Sequence, residues 1–373
     1  MRRICVCHLI TELAPAGAER IVCELARRLD RDRFEVVVAG LRGGAAGDRL
    51  ARDGIETHVI GVRGKWDVLK LSRLVRLLRR RRVDILHTHL FHADLAGRAA
   101  AWLAGVPHVV HTIHTAEARF RPWQFAFARL AAGRCDRLIA VSRTVGRYHA
   151  RKSGLPLAGY AVIPNGVDLK EYCRDERRRR ELRERLGLSS GTVVAAFVGR
   201  LAEEKGVDVL LAAMRLLADR ASGIHLIVAG DGPKRAIVER FLAARAGAAI
   251  TFLGFTDDVR AVLSAADMLV MPSRWEGFPL TVAEAMAAGL PVVATGAGGL
   301  TDVVLDGQTG LLIEKEDPPS LADAMTKLAQ NAELRLRLGA AGRKRVEDHF
   351  TIDRLVGAYE GLYVEVCRPH GPS

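Results

Sequence analysis

Long apolar runs, paired cysteines and a leader-like N-terminus are all missing from this chain of 373 residues. No apolar segment approaches the roughly 20 uninterrupted residues that a membrane-spanning helix needs. Met1-Arg2-Arg3 leads directly into a strand-like run instead of a secretion signal. The six cysteines form neither Cys-x-x-Cys pairs nor a regular framework, which predicts free thiols. We therefore expect a protein that stays in the cytoplasm.

Acidic residues are scarce in the first half of the chain relative to basic ones. The formal net charge is +13 at pH 7, and residues 1–173 hold 30 of the 56 Lys and Arg but 16 of the 43 Asp and Glu. The excess of positive charge therefore belongs to the first half. Such asymmetry favours an anionic partner for one domain, either a membrane surface or a nucleic acid.

What the sequence does contain is a repeated alternation of short apolar runs and helical stretches. The pattern runs from the start to about residue 168, stops at the charged stretch 174–185, and then begins again. Buried strands separated by helices predict parallel sheets with helical crossovers. We expect an α/β chain of two Rossmann-like, doubly wound domains at residues 1–170 and 190–350, facing each other across a cleft that binds the ligand. An amphipathic stretch at about 351–367 is a candidate to cross back onto the first domain.

Two carboxylates stand eight positions apart across a predicted loop and the start of a predicted helix. Glu276 precedes a turn marked by Gly277 and Pro279, and Glu284 lies inside an apolar run. Eight residues is not the spacing of one helical face. Backbone N–H groups at a helix start are unpaired donors that favour oxygen-rich ligands. The pattern predicts a site for a polyhydroxylated ligand, and the alternative is a solvated surface pair.

A second candidate site begins where a predicted strand ends. Gly199 allows close approach of the backbone, and Arg200 and Lys205 follow at the next helix. Arginine offers a bidentate fork to phosphate oxygens and lysine a point charge, so the pair fits a diphosphate. The alternative is a solvated loop in which these two cations pair with Glu203. Glycines after the next strands, among them Gly230 and Gly254, predict a nucleotide-binding edge of the same sheet.

These motifs resemble the large family of retaining GT-B glycosyltransferases, glycosyltransferase family 4 (glycosyl transferases group 1). The resemblance rests on residues 198–206 and 230–233, the Glu276/Glu284 pair and residues 163–168. It extends over nearly the whole chain and implies a glycosyltransferase of the GT-B fold. By this resemblance Glu276 binds the hydroxyls of the donor sugar, Glu284 binds the ribose, and Arg200 and Lys205 hold the diphosphate. The donor-binding residues that it adds are Gly17, Gly199, Gly230, Gly254, Phe278, Pro279 and Leu280.

The resemblance also assigns a role to two residues of the first domain. Gly17 matches a glycine loop that faces the reacting diphosphate, although Ala16 stands where the family often has a second glycine. His114 matches an active-site histidine that meets the sugar ring near its hydroxymethyl end. In the second domain Asp302 stands where a Glu is frequent.

The resemblance implies front-face transfer of a sugar with retention of anomeric configuration. No second carboxylate is identifiable as a nucleophile, so the leaving phosphate oxygen is expected to take the proton of the acceptor. Catalysis then depends on positioning and on cationic stabilisation of the diphosphate, without cofactor or metal. The expected donor is a UDP-sugar, or else a GDP-sugar. The alternatives are a nucleotide-sugar epimerase or hydrolase, and a non-catalytic, membrane-associated protein that binds sugar nucleotides.

Histidines are frequent in the first half and raise the possibility of a metal site. Six of them fall within thirty positions, at His87, His89, His92, His108, His111 and His114. Imidazole is the commonest metal ligand in proteins. They are spread over two predicted strands, without a cysteine cluster or a His-x3-His pair on a helix. We therefore expect no metal.

Two basic segments of the first domain are candidates for contact with an anionic surface. In residues 70–82 an apolar stripe shares a predicted helix with many arginines, so the helix either packs by its stripe or lies on a bilayer. In residues 119–127 aromatic side chains alternate with cations. Each basic residue near anionic lipid contributes about 1 kcal/mol. Peripheral membrane contact is favoured over a solvated face, and over nucleic acid because no nucleic-acid module is recognisable. A lipid-linked or envelope-polysaccharide acceptor fits this interpretation.

Overall fold

The computed structural model describes residues 2–14, 16–62, 64, 67–115, 120–220, 223–244 and 249–368. Its chain divides into two units. The first comprises the described residues within Met1–Asn165 and Asp353–Ser373, and the second is Gly166–Ile352.

The first unit is built on a parallel sheet of seven strands in the order β3-β2-β1-β4-β5-β6-β7. The strands are β1 (Ile4–Glu12), β2 (Phe34–Arg42), β3 (Glu56–Val59), β4 (Ile85–His89), β5 (His108–Ile113), β6 (Arg137–Ala140) and β7 (Tyr160–Val162). The helices between them are α1 (Gly17–Arg28), α2 (Ala45–Arg52), α3 (Val68–Arg81), α4 (Phe91–Ala104), α5 (Pro122–Ala131) and α6 (Arg143–Ser153). All of β4 is buried, as is typical of a central strand with both faces covered.

The second unit repeats this design with six parallel strands in the order β10-β9-β8-β11-β12-β13. They are β8 (Val193–Val198), β9 (Ile224–Ala229), β10 (Ile250–Gly254), β11 (Met268–Met271), β12 (Val292–Thr295) and β13 (Gly310–Ile313). The helices are α7 (Glu176–Arg185), α8 (Val207–Asp219), α9 (Arg235–Ala244), α10 (Val259–Ala265), α11 (Leu280–Ala287), α12 (Leu300–Val303), α13 (Pro318–Gln330) and α14 (Ala332–His349). Two Rossmann-like α/β units with parallel sheets are therefore confirmed.

The second unit begins at Gly166, earlier than the predicted start at residue 190. The charged stretch 174–185, which separates the two predicted domains, contains helix α7. Arginines of this helix have partners within the second unit. Arg179 and Arg183 each donate to Asp267 at 2.7 Å, and Arg183 also donates to the carbonyl of Ala265 at 2.9 Å. These contacts hold α7 against the end of α10 and the start of β11, because one carboxylate joins two guanidinium groups.

The last helix, α15 (Ile352–Val366), belongs to the first unit from Asp353 onward. Tyr359 and Tyr363 on this helix are fully buried. The hydroxyl of Tyr363 lies 2.6 Å from Nδ1 of His87, and Glu360 accepts from the backbone N–H of Asp30 at 2.9 Å. Thus α15 contributes large aromatic side chains to the core of the first sheet.

Helix α3 packs by its apolar stripe and does not present that stripe to solvent. Leu74, Leu77 and Leu78 are buried in the core, and Leu71 and Val75 pack against it. Several of its cations have partners on the same unit: Arg81 pairs with Glu35 and Glu56, and Arg79 donates to the carbonyl of Leu103. Of the two interpretations of residues 70–82, the structure therefore favours packing over insertion of the stripe into a bilayer. No helix among the described residues is both long and apolar enough to span a membrane.

Candidate functional site

Three predicted donor-site glycines lie together at the carboxyl ends of neighbouring strands. Gly199 follows β8, Gly230 follows β9, and Gly254 ends β10. The N–H of Gly230 donates to the carbonyl of Gly254 at 2.7 Å. Gly230 has φ +144°, and a Cβ atom built on it would lie 1.9 Å from the carbonyl oxygen of Gly199. Only glycine fits at this position, and the three residues form a backbone edge without side chains that a ligand can approach closely.

The predicted cation Lys205 pairs with the predicted carboxylate Glu276 across 71 positions of sequence. Its Nζ lies 2.6 Å from Oε1 of Glu276, which also accepts from the hydroxyl of Ser273 at 2.8 Å. The Cε of Lys205 is 4.0 Å from where a Cβ of Gly199 would stand. Glu276 is 8% exposed. The structure therefore brings the diphosphate candidate and the sugar candidate together beside the glycine edge.

The loop that carries Glu276 is fixed to the loop after β12. The backbone N–H of Gly299 donates to the carbonyl of Glu276 at 3.0 Å, and Cβ atoms built on Gly298 and Gly299 would lie 2.5 and 1.9 Å from carbonyl oxygens of that loop. Thr295 adds a short hydrogen bond to the carbonyl of Ser273. The two glycines are required because the backbones approach too closely for any side chain.

The two arginines near this site differ in their surroundings. Arg200 forms an ion pair with Glu204, and its side chain is 62% exposed. Arg274, which the sequence argument did not single out, donates to both carboxylate oxygens of Asp208 at 3.0 and 2.7 Å and to Glu316 at 2.7 Å. The hydrogen bonds that Arg274 donates to Asp208 and Glu316 raise its pKa. Arg274 therefore locks the loops around Lys205 and Glu276, whereas contact between Arg200 and a diphosphate stays a prediction.

The start of helix α11 carries the remaining predicted donor residues of this unit. Pro279 caps the helix, Leu280 is its first residue, and the N–H of Leu280 donates to the carbonyl of Phe278 at 3.0 Å. The ring of Phe278 packs edge-on against Phe350 with centroids 5.4 Å apart. Glu284 lies about one turn into the helix and is 2% exposed. Helix α11 thus begins after the loop of Glu276, as the sequence predicted, but the N–H groups of Leu280 and Val282 in its first turn already donate to the carbonyls of Phe278 and Pro279.

In the first unit Gly17 is the first residue of α1, with Ala16 as its cap. The neighbouring Pro15 of the predicted glycine loop lies outside the described residues. Glu19, in the first turn of α1, is buried, and this burial raises its pKa to about 7, against the lowering effect of its backbone hydrogen bond. Sequence reasoning missed Glu19, although an acidic residue in the first turn of a helix beside a glycine loop was the available signal.

His114 follows β5 and joins a group of buried histidines. Its Nε2 lies 2.9 Å from Nδ1 of His89, and Nε2 of His89 lies 3.1 Å from Nδ1 of His8. Burial lowers the pKa of His114 to about 3, with a smaller contribution from His111. At pH 7 the imidazole is therefore neutral and acts through hydrogen bonds, not through charge. Sequence reasoning missed His8, because it is far from the other histidines along the chain.

Among the described residues, three histidines lie close enough together to be candidates for holding a metal ion. His8, His87 and His89 have ring nitrogens that lie within 4.8 Å of one another. The nitrogens of His87 contact the hydroxyls of Tyr363 at 2.6 Å and Thr112 at 2.7 Å. His8 and His89 contact each other. Most of these nitrogens therefore have hydrogen-bond partners within the protein, which is the arrangement of a satisfied polar core.

Two family models match the chain. The model described as Glycosyltransferase Family 4 matches residues 15–171, and the model described as Glycosyl transferases group 1 matches residues 178–345. Together they follow the two units closely, and they leave out β1 and the whole of α15.

Similar proteins cover most of the chain. The UDP-Gal:alpha-D-GlcNAc-diphosphoundecaprenol alpha-1,3-galactosyltransferase of Escherichia coli is 26% identical, over 98% of this chain and 97% of its own. The 2-deoxystreptamine glucosyltransferase of Streptomyces kanamyceticus is 33% identical, over 83% of this chain and 84% of its own. The crystal structure of Anabaena HepE in complex with UDP-glucose superposes with a TM-score of 0.88 at 22% identity, over 97% of this chain and 100% of its own. The chain therefore belongs to glycosyltransferase family 4 and is a glycosyltransferase with the GT-B fold.

Proposed function

We propose that this glycosyltransferase moves a sugar from a UDP-sugar, or else a GDP-sugar, to a lipid-linked or envelope-polysaccharide acceptor, with retention of configuration and without a metal. The observation that carries the proposal is the Lys205–Glu276 pair beside the glycine edge of β8, β9 and β10. The similarity to HepE, whose structure contains UDP-glucose, supports a UDP-sugar as the donor. The E. coli relative, a galactosyltransferase named for a diphosphoundecaprenol-linked acceptor, supports a lipid-linked acceptor.

The chemistry of the pair suits a sugar diphosphate. A lysine ammonium has three donors, so Lys205 can hold Glu276 with one and offer others to phosphate oxygens. Lys205 and Ser273 both donate to Oε1 of Glu276, and we assign Oε2 to the sugar hydroxyls. The glycine edge lets the nucleotide approach the backbone, and Glu284 is the residue that we assign to the ribose.

Positioning and charge stabilisation account for the reaction in this proposal. Lys205, together with Arg200, offsets the negative charge that grows on the leaving diphosphate, which is the part that a metal plays in other enzymes. The leaving phosphate oxygen takes the proton of the acceptor hydroxyl on the same face of the sugar, which retains the configuration. The neutral imidazole of His114 contacts the sugar by a hydrogen bond.

The donor is tested by thermal unfolding in the presence of nucleotide sugars. A ligand at 100 times its dissociation constant stabilises the folded state by about 2.7 kcal/mol, so we expect UDP-sugars to raise the melting temperature more than GDP-sugars do, with EDTA present. Product analysis by NMR should then show a retained anomeric configuration. Stabilisation by GDP-sugars alone, dependence on added metal or an inverted product would each refute part of the proposal. Turnover of the donor without any acceptor would favour an epimerase or hydrolase.

We place the membrane contact on helices α4 and α5, because α3 uses its stripe in the core. The apolar face of α4 and α5 is defined by the exposed side chains Leu95, Trp102, Leu103, Trp123 and Leu130. Trp102 is 69% and Leu130 87% exposed. The two helices lie side by side: Phe91 meets Trp123 at 5.5 Å between ring centroids, and seven residues later Arg98 donates to the carbonyl of Ala131 at 2.6 Å. Arg119 of the predicted aromatic and basic segment lies outside the described residues.

Basic side chains are exposed on α6, the helix next to α5. Helix α6 packs against α5 and exposes Arg143, Arg147, Arg151 and Lys152. Residues spaced by four share one side of a helix, so the three arginines form a continuous basic stripe. Exposed tryptophans next to a row of cations are typical of a surface that rests on anionic lipid.

Replacing Trp102, Trp123 and Leu130 together by serine is expected to weaken binding to anionic phospholipid vesicles at least about 100-fold, since each large apolar side chain contributes about 1.5–3 kcal/mol when it leaves water. Co-sedimentation with vesicles of phosphatidylglycerol and phosphatidylethanolamine measures the effect. Leu336→Ser, which changes a leucine that is 74% exposed on α14, is the matched control. Unchanged binding of the triple variant would show that this face does not meet lipid.

A further inference from the structure

Three imidazoles form a continuous line across the sheet of the first unit. His8 lies on β1, His89 ends β4 and His114 follows β5. The line is joined by two contacts, from Nδ1 of His8 to Nε2 of His89 at 3.1 Å and from Nδ1 of His89 to Nε2 of His114 at 2.9 Å. The two outer nitrogens, Nε2 of His8 and Nδ1 of His114, are buried and have no hydrogen-bond partner among the described residues.

Each ring of this line is neutral at pH 7. Burial lowers the pKa of His8 and of His114 to about 3 and holds that of His89 well below its ordinary value. A neutral imidazole has one N–H and one bare nitrogen, and each contact needs one proton. The three rings therefore have two arrangements only: all three are protonated on Nδ1, or all three on Nε2.

The surroundings of His8 decide between the two arrangements. A buried N–H without an acceptor is rarer and more costly than a buried acceptor without a donor. His8 is fully buried, whereas His114 is partly exposed. An unbonded N–H is thus less unfavourable at the His114 end, where a bound ligand can accept from it. This favours the arrangement in which all three rings carry the proton on Nδ1.

We infer that His89 and His8 are positioning residues that fix His114 as a hydrogen-bond donor through its Nδ1–H. The inference rests on the proposed function, in which His114 meets the sugar. It deepens that function, because the ligand atom opposite His114 is then an acceptor such as a hydroxyl or ring oxygen.

His87 and the last helix hold the line in place. The ring of His87 lies 4.0 Å from that of His89 between centroids. His87 contacts the hydroxyl of Tyr363 on one side and Thr112 on the other, and Thr112 contacts the hydroxyl of Tyr359 at 3.0 Å. Because both nitrogens of His87 already have hydrogen-bond partners, His87 does not compete for the hydrogen bonds that join His8, His89 and His114. Its ring also restricts rotation of the His89 ring.

Two substitutions of His89 test the positioning role by kinetics. His89→Leu removes both contacts, whereas His89→Asn places an amide near the position of Nδ1 and can still donate to His114. We expect His89→Leu to lower kcat about 10- to 100-fold with little change in KM for the donor, and His89→Asn to recover most of this loss. A purely structural role would make both variants fail alike, with the loss following their stability. Wild-type kcat in His89→Leu would overturn the inference.

NMR of the full-length wild-type protein with nitrogen-15 labelled histidine tests the proton arrangement directly. We expect the signals of His8, His89 and His114 to report protonated Nδ1, with assignment from the signals that change in His89→Asn. Protonation on Nε2 in the three rings would overturn the inference. This measurement needs no activity, and UDP titration of the wild-type protein separately tests the donor site. A protein that shows the expected protonation but binds no UDP would refute the proposed function and not the arrangement.

Discussion

Lys205→Ala is expected to lower kcat/KM for sugar transfer by about 100- to 1000-fold, the range observed when one preorganised donor to a developing negative charge is removed. Lys205 is the cation whose Nζ lies 2.6 Å from Glu276, and its side chain is largely buried. Loss of this ammonium removes positive charge opposite the leaving diphosphate. Of the two side chains that donate to Oε1 of Glu276, Lys205 and Ser273, only Ser273 then remains. Steady-state transfer kinetics and UDP titration measure the two consequences separately.

Two further variants test whether the loss of activity in Lys205→Ala comes from the missing positive charge at this position. Lys205→Arg keeps a cation and should recover part of the activity, though not all, because a guanidinium differs in shape and donor geometry from an ammonium. Lys327→Ala removes an exposed lysine from α13 and should transfer sugar at the wild-type rate. If Lys205→Ala folds and transfers sugar as well as Lys327→Ala, the proposed diphosphate site is wrong.

Lowering the pH from 7 to 5 is expected to destabilise the first unit, by about 2 kcal/mol for each of the buried rings of His8 and His114. Four histidines carry this effect: His8, His87, His89 and His114. Burial lowers the pKa of all four, to about 3 for His8 and His114, whereas an unfolded chain takes up these protons near pH 6.5. Between those values the unfolded state binds more protons, so stability is full above pH 6.5 and is lost as the pH falls. The losses of His8 and His114 at pH 5 together are comparable to the lower end of the stability of a typical domain, about 5–15 kcal/mol. Glu19, whose pKa is raised to about 7, opposes them, because the folded state holds its proton more tightly than the unfolded state does.

Urea unfolding at pH 7, 6 and 5 measures this loss, and its slope against pH gives the number of protons taken up on unfolding. Burial also lowers the pKa of His149, to about 4, and His149→Gln should reduce the uptake by about one proton. His349→Gln removes an exposed histidine of α14 and controls for the substitution itself. A free energy of unfolding that stays constant from pH 7 to pH 5 would contradict the buried, neutral state of these rings.

The local pattern of the sequence was sufficient for the elements and for part of the site. Glycine after an apolar run predicted the edge at Gly199, Gly230 and Gly254, because parallel strands of one sheet end side by side. The capping residues Asp258, Asp317 and Asn331 stand where helices α10, α13 and α14 begin, and each accepts from the N–H three residues later. The prediction of a helix start between Glu276 and Glu284 also holds, although it rests on the turn at Gly277 and Pro279, since α11 has no side-chain cap.

The local pattern of the sequence could not predict contacts between segments that are distant along the chain. Arg183 and Asp267 are 84 positions apart, so nothing local indicated that the charged stretch is a helix of the second unit. His8 is far from His89 in the sequence and was not counted with the other histidines. The apolar stripe of α3 looked equally suited to a core and to a bilayer, since both bury the same face of a helix.

The sequence by itself therefore determined the two Rossmann-like units, their alternation of strands and helices, and the glycines at the ends of β8, β9 and β10, because these depend on periodicity and on the backbone preferences of a few residues. The tertiary structure alone decided the partners: Glu276 for Lys205, Glu204 for Arg200, and His8 for His89. A charged or polar side chain has many possible partners along the chain, and only the packing of the sheets brings one of them within hydrogen-bonding distance.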